Sequence, residues 1–478
     1  MQREELVLLV DSIRKSKCES QDIEVKSACG GNPARIYRTL SSFSNQDSGG
    51  IIVFGLDEAD DFNVVGVQDA HSLQKQVNDQ CKQMQPVCRP VFTIAEVDDK
   101  TVVSAEIPGL DISQRPCYYA GKGVAKGSYI RVGESDEPMT DYEIYSYDAY
   151  RKQAHDDTRI VNGANKKIFD EEKVEHFLVR AKKGRQNLAK LSDSEVLEML
   201  GVIKDGIPTL MGIILFSKYP QASFPQFAIT AVVIPGVEIG DLGAGGERFT
   251  DNRRIDGTLD EMYLETLSFL ERNMKRKTIV GSDGLRSDTA EYPMIALREI
   301  ILNALMHRDY SIHSEGKPVT VEIYSNRLEV SNPGGLYGRI SVDELGVIKP
   351  DIRNKSLVNA LEILAIAENR HSGIPAIRKA MLDYHLPPPV FMDRRGEFKV
   401  ILYNSLDVGE LSTEDMILAF CTIPRCRQSI AELIGQTPAY VSAKVIRPLV
   451  EEGKLAMTLP DKPKSKFQKY VACPKSYK

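Results

Sequence analysis

The apolar residues of this chain come in short blocks, and no block approaches the roughly 20 uncharged apolar residues that a membrane-spanning helix needs. The first block, in MQREELVLLVDSIRKSKCES, is interrupted by acidic residues. Such blocks must be buried against one another in water, and 478 residues exceed the size at which a single hydrophobic core stops growing. A multidomain α+β protein of the cytoplasm is therefore expected, with no membrane partner. The eight cysteines form no Cys-x-x-Cys pair and stand far from most of the seven histidines, so neither a zinc site nor a disulfide framework is expected. With 61 basic and 67 acidic residues the formal charge is −6, which excludes a uniformly basic nucleic-acid binder. The end of the chain differs. After Asp461 no acidic residue occurs, while Lys462, Lys464, Lys466, Lys469, Lys475 and Lys478 follow, so attraction to phosphate is concentrated there.

Periodicity divides the chain into four parts. Residues 1–155 read as a small α+β domain: an opening helix, a strand at DIEVK, a helix over NPARIYRTLSSFSNQ, a turn at DSGG, strands at IIVFGL, PVFTIAEV, TVVSAEI and YIRVG, and a closing helix. Residues 166–250 form an intermediate α/β segment, with helices at DEEKVEHFLVRAKKG and SDSEVLEMLGVI and buried strands at LMGIILF and FAITAVVI. Residues 251–405 make a third domain and 406–478 a separate small unit.

Within the third domain, REIILNALMHRDY places Glu299 and Asn303 four apart on one face of a helix otherwise covered by Ile300, Ile301, Leu302 and Leu305. An amide oxygen can ligate a hard cation such as Mg²⁺ on a phosphate, and a carboxylate one turn away can take the proton of an attacking water. Taken alone, the pair also fits an exposed helix stripe. Three neighbours narrow the choice. NRLEVSNPGGLYG is a strand ending in Asn332-Pro333-Gly334-Gly335, where a ligand ring can approach the backbone. ENRHSGIPAIRKAM sets Ser372 and Gly373 at a helix start, whose free N–H groups favour phosphate. The run His307-Arg308-Asp309-Tyr310 links the first helix to the rest. A protein kinase is excluded because Ser314 stands where its asparagine would follow the aspartate, and no Walker A loop occurs anywhere.

These three motifs, in this order, resemble the GHKL class of ATP-binding domains, an α/β sandwich, over about residues 256–404. The resemblance implies Glu299 as general base, Asn303 as magnesium ligand, Gly334 and Gly335 at the adenine, and Ser372 and Gly373 at the phosphates, with His307, Asp309 and Asn332 beside the nucleotide. One departure stands out: Asn332 or Ser331 replaces the usual adenine-binding aspartate.

In the first domain, CESQDIEVKSA and the strand end at Asp57 offer Glu19, Glu24, Lys26 and Asp57 as a candidate metal and phosphate site, or as a structural polar rim. IEVK, SSFSNQDSGGIIVFGLDE and YIRVGESDEPMT resemble the AlbA-like domain shared with Schlafen proteins. That resemblance implies either DNA binding or, with Glu19, Glu24 and Asp57 holding Mn²⁺ or Mg²⁺, a ribonuclease acting on RNA.

At the C-terminus, SIAELIGQTPAYVSAKVIRPLVEEGKLAMTL reads as helix, turn, helix, strand, with Gly435 opening the turn, Thr437 as N-cap and Pro438 at the first helical position. Val441, Val445 and Leu449 recur on one face of the second helix, leaving Tyr440, Ser442, Lys444 and Arg447 toward solvent. Lys464 and Lys466 lie in the following lysine-rich hairpin. This looks like a winged helix whose second helix enters the major groove. The combination points to a transcriptional regulator, homodimeric as GHKL domains often are, that binds ATP with Mg²⁺ and DNA. The alternatives are an ATP-gated nuclease effector, such as a phage-defence protein, and a scaffold with a dead nucleotide site.

Overall fold

The computed structural model describes the chain except for residues 32, 34, 281–285, 368–371, 395, 405–412, 422–424, 435–436, 459, 461–467 and 474–478. It divides into two units, Met1–Ala154 and His155–Lys478.

In the first unit a four-stranded sheet runs in the order Ile23–Lys26, Gly50–Phe54, Lys100–Ile107, Val91–Val97; the first pair is parallel and the others antiparallel. Alternation along Gly50–Phe54 splits the core in two. Ile52 and Phe54 pack with Leu40 and Phe43 of the helix Tyr37–Ser44, while Val53 packs with Leu6, Val10 and Ile13 of the helix Arg3–Ser16. The helix Tyr37–Ser44 is shorter than NPARIYRTLSSFSNQ suggests. A further helix, Ala70–Cys81, escapes the sequence reading; Asp69 caps it and Leu73, Val77 and Cys81, at i, i+4 and i+8, are its buried stripe. The hairpin Tyr129–Val132 with Ser135–Pro138 and the helix Asp141–Lys152 complete the unit.

The second unit holds a six-stranded sheet in the order Asp251–Ile255, Ile229–Val233, Val319–Ile323, Arg327–Pro333, Glu397–Tyr403, Val390–Arg394. Only the contact of Ile229–Val233 with Val319–Ile323 is parallel. A strand expected in the intermediate segment is thus an inner strand of the next domain's sheet, and residues 166–250 do not stand apart from 251–405. The helices Leu259–Asn273, Met294–Met306 and Gly373–Asp383 share one core with Val321, Val330 and Leu402 of that sheet. LMGIILF, expected as a strand, is instead the helix Leu210–Phe216: all seven residues are buried, so periodicity cannot distinguish the two, and Thr209 decides it by accepting the Gly212 N–H at 3.1 Å.

From Thr413 onward a separate small core gathers Ile417, Phe420, Ile430, Val441, Ile446 and Leu449. Beside it lies a three-stranded antiparallel sheet in the order Arg425–Cys426, Lys469–Ala472, Leu455–Met457. Among the described residues no helix is long and apolar enough to cross a membrane.

Candidate functional site

Apart from the exposed Arg298, the helix Met294–Met306 is polar only at Glu299 and Asn303, with Ala296, Leu297, Ile300, Ile301, Ala304 and Leu305 buried in the core. Glu299, Asn303 and His307 follow one another at four-residue spacing, and all three line one cavity. Its second wall is the strand Arg327–Pro333. Alternation turns Val330 and Asn332 to the cavity, while Ser331 is not part of its wall. Of the two candidates at the strand end, Asn332 is thus the one on the cavity wall. The strand is followed by Gly334, whose φ of +99° is left-handed and whose added Cβ would stand 2.6 Å from Cβ of Asp309, so only glycine fits. The third wall is the helix Gly373–Asp383, which contributes Gly373, Ile374 and Ile377. A Cβ on Gly373 would come within 2.5 Å of Glu299 Oε2.

Two expected site residues lie elsewhere. Asp309 is buried behind Gly334, off the cavity wall; its carboxylate accepts the Ser311 N–H at 2.8 Å, and its own N–H donates to the Pro333 carbonyl at 2.8 Å. It ties the run after the helix to the glycine turn. Ser372 precedes the helix and is also off the wall, its side chain making no capping bond. Two neighbours were not singled out in the sequence. Asn354 donates to the carbonyls of Met306 at 2.9 Å and Arg308 at 2.7 Å, holding the same run from the other side. Arg353 lines the cavity, and nothing in its local sequence, DIRNKS, marks it.

In the first unit, Glu19 and Glu24 converge on Arg131 rather than on Asp57. Arg131, its side chain 1% exposed, meets Glu24 Oε2 at 2.7 Å, Asp136 Oδ1 at 3.2 Å and Glu19 Oε2 at 3.4 Å. Lys26 holds the other oxygen of Glu24. Burial is the main cause that pushes the Glu19 carboxyl up to about 7, opposed by the Val25 N–H that it accepts at 2.7 Å. Asp57 turns away and caps its own chain, accepting the Ala59 N–H at 3.1 Å. The third carboxylate is Asp136, which Thr39 approaches at 2.8 Å. Among the described residues no group of three or more His, Cys, Asp or Glu side chains is placed to hold a metal ion. Arg131 stood inside YIRVG, where alternation with Tyr129 was the available signal for an inward side chain.

At the C-terminus Thr437 caps its helix, accepting the Tyr440 N–H at 3.3 Å. Tyr440, Lys444 and Arg447 are exposed and Ser442 half-buried. The helix takes wider turns over Ser442–Ile446, so the buried series is Val441, Ile446 and Leu449, and Val445 is only partly covered. Arg447 donates to Glu451 at 2.8 Å. Lys464, Lys466 and Gly435 lie outside the described residues.

Three family models match the chain: HATPase_c_4, described as "Putative ATP-dependent DNA helicase recG C-terminal", over residues 316–402; "Schlafen, AlbA_2" over 19–140; and a domain of unknown function, DUF8451, over 147–230. Among solved structures, the DIP2311 protein of Corynebacterium diphtheriae is 18% identical, covering 95% of this chain and 93% of its own, with a TM-score of 0.40. The N-terminal domain of a "Putative ATP-dependent DNA Helicase RecG-related Protein" of Nitrosomonas europaea is 25% identical over 28% of this chain and 92% of its own, with a TM-score of 0.23. No curated protein matches the chain.

Proposed function

From a chain that carries a Schlafen/AlbA-like domain followed by a divergent HATPase-type domain, we propose a nucleotide-responsive DNA-binding protein acting as a transcriptional regulator. The observation that carries the nucleotide part is one cavity lined by Glu299 and Asn303, by the start of the Gly373 helix that rests against them, and by Asn332, Gly334 and Gly335 on another wall. The donor set suits ATP with Mg²⁺: hard oxygen donors, a helix start beside them for phosphate, and a bare glycine turn for the base. Asn303 would hold the cation, which when bound neutralises phosphate charge. Glu299 is the group placed to take a proton from water.

The DNA part rests on Tyr440, Lys444 and Arg447, which project from a helix whose other face is buried. This supports a winged-helix reading with that helix in the major groove, assisted by the first domain. In a homodimer, nucleotide would change how two such helices are presented to DNA. The nuclease alternative is less favoured, because Arg131 already occupies the space between Glu19 and Glu24 that a divalent cation would need.

Calorimetry with Mg-ATP, followed by gel-shift titrations with and without ATP at matched salt, tests the reading. Binding of ATP that moves the DNA midpoint is expected. ATP binding without any effect on DNA would remove the coupling, and no ATP binding would leave the scaffold reading. Mn²⁺-dependent RNA cleavage lost in Glu24→Gln would make the nuclease reading primary.

A further inference from the structure

Two thiols of the first unit meet in its core. Cys88 Sγ lies 3.6 Å from Cys117 Sγ, with Cys88 3% and Cys117 0% exposed, and both are free thiols. They are held differently. The backbone of Cys117 is fixed: its N–H donates to Asn45 Oδ1 at 2.7 Å, and its carbonyl accepts from Ser41 Oγ at 2.7 Å and Asn45 Nδ2 at 3.0 Å. Cys88 sits in the surface run Pro86-Val87-Cys88-Arg89-Pro90, between the exposed Val87 and Arg89. Among the described residues the N–H groups of Val87, Cys88 and Arg89 make no loop hydrogen bond to other backbone, so this run opens locally at little cost.

The pair is also chemically unequal. Ser44 Oγ lies 3.1 Å from Cys88 Sγ. The hydrogen bond with Cys117, aided by Ser44, lowers the Cys88 thiol against the opposing effect of burial, whereas that same bond and burial raise Cys117. Thiolate is the nucleophile, so Cys88 attacks first and Cys117 keeps its proton. Cys81, in the same core, is a built-in control: burial pushes its thiol up to about 12.

We infer that Cys88 and Cys117 form a modification site, a dithiol that a hydroperoxide oxidises to a disulfide, fastening residues 86–90 to the core. When the run opens, the Cys88 thiolate attacks the terminal oxygen of the hydroperoxide. An S–O bond forms, the O–O bond breaks, and the leaving oxygen takes a proton from solvent to depart as alcohol, or as water from hydrogen peroxide. As the run closes, the Cys117 sulfur attacks the Cys88 sulfenic acid; the S–S bond forms, the S–O bond breaks, and hydroxide takes the Cys117 proton and leaves as water. Two thiols lose two electrons and the peroxide gains them. The crosslink restricts the unfolded chain and so stabilises the first unit.

Treating the folded full chain with hydrogen peroxide, then alkylating in denaturant and mapping peptides, tests this on the wild type without any variant. A Cys88–Cys117 link that dithiothreitol reverses is expected, formed at least about tenfold faster than Cys81 is oxidised. The oxidised chain should show a raised urea midpoint for the first unit. In Cys117→Ser, Cys88 should stop at a sulfenic acid that dimedone traps; in Cys88→Ser, Cys117 should stay reduced. The inference is overturned if both thiols remain reduced while the exposed Cys18 and Cys29 are oxidised. A link of Cys88 to Cys81 instead, or one that forms only in denaturant, overturns it as well.

Discussion

Gly373 stands so close to Glu299 that a Cβ on it would lie 2.5 Å from Oε2 of the carboxylate and 3.3 Å from Nδ2 of Asn303. The start of one helix therefore rests on the polar stripe of another, and any side chain at this position displaces the carboxylate. Because Oε2 is the free end of a flexible side chain, Gly373→Ala should cost less than about 1 kcal/mol of stability. It should nevertheless slow whatever hydrolysis the site performs, since Glu299 loses its placement. Urea melts and phosphate release, measured on the same preparation, separate the two effects. A large loss of stability with hydrolysis intact would contradict this reading.

The two members of the stripe should separate in function. Asn303→Ala is expected to abolish Mg²⁺-dependent nucleotide binding, because it removes the amide oxygen assigned to the cation. Glu299→Ala is expected to keep binding and lose turnover, because a general base acts on water rather than on the bound nucleotide. Equal loss of affinity in both variants, read by calorimetry, would refute the division of roles.

Gly334 should be intolerant for a different reason. Its φ of +99° is left-handed, and a Cβ would press on Cβ of Asp309 at 2.6 Å, a rigid point close to the backbone. Gly334→Ala should destabilise the second unit by about 2 kcal/mol through strain and collision together. A chemical denaturation midpoint indistinguishable from wild type would show that the turn relaxes freely.

Glu19 gives a pH dependence. Burial raises its carboxyl from the ordinary 4.5 to about 7, so the folded state keeps a proton that the unfolded chain releases. The stability from this group is fully present below the unfolded value and is lost as pH rises through about 7. Glu19→Gln retains an acceptor for the Val25 N–H and cannot ionise. Its stability relative to wild type should rise between about pH 5 and pH 8 in paired melts. A flat difference over that range would mean that Arg131 compensates the charge fully.

For DNA, Lys444→Ala combined with Arg447→Ala should weaken duplex binding by about 1–3 kcal/mol if either side chain reads a base, and should reduce its salt dependence. Arg447 already shares its charge with Glu451 at 2.8 Å, so Lys444 should carry the larger part. Unchanged gel-shift titrations at matched salt would remove this helix from the DNA interface.

Much of the second unit's site was legible from spacing alone. Glu299, Asn303 and His307 fall on one stripe because a helix repeats every 3.6 residues, and adjacent strand residues such as Ser331 and Asn332 must face opposite ways. The left-handed turn at Gly334 and the cap at Thr437 are likewise properties of local backbone chemistry.

Which of two adjacent strand residues faces the cavity was decided only when the sheet packed against its helices, and this put Asn332 on its wall. Packing also brought Arg353 to Gly335, set Asp136 rather than Asp57 beside Arg131, and placed Ile229–Val233 beside Val319–Ile323 across a presumed boundary. The physical reason is that periodicity carries the phase of residues within one element, whereas a partner distant in sequence is chosen by burial and charge pairing among segments that meet only after folding.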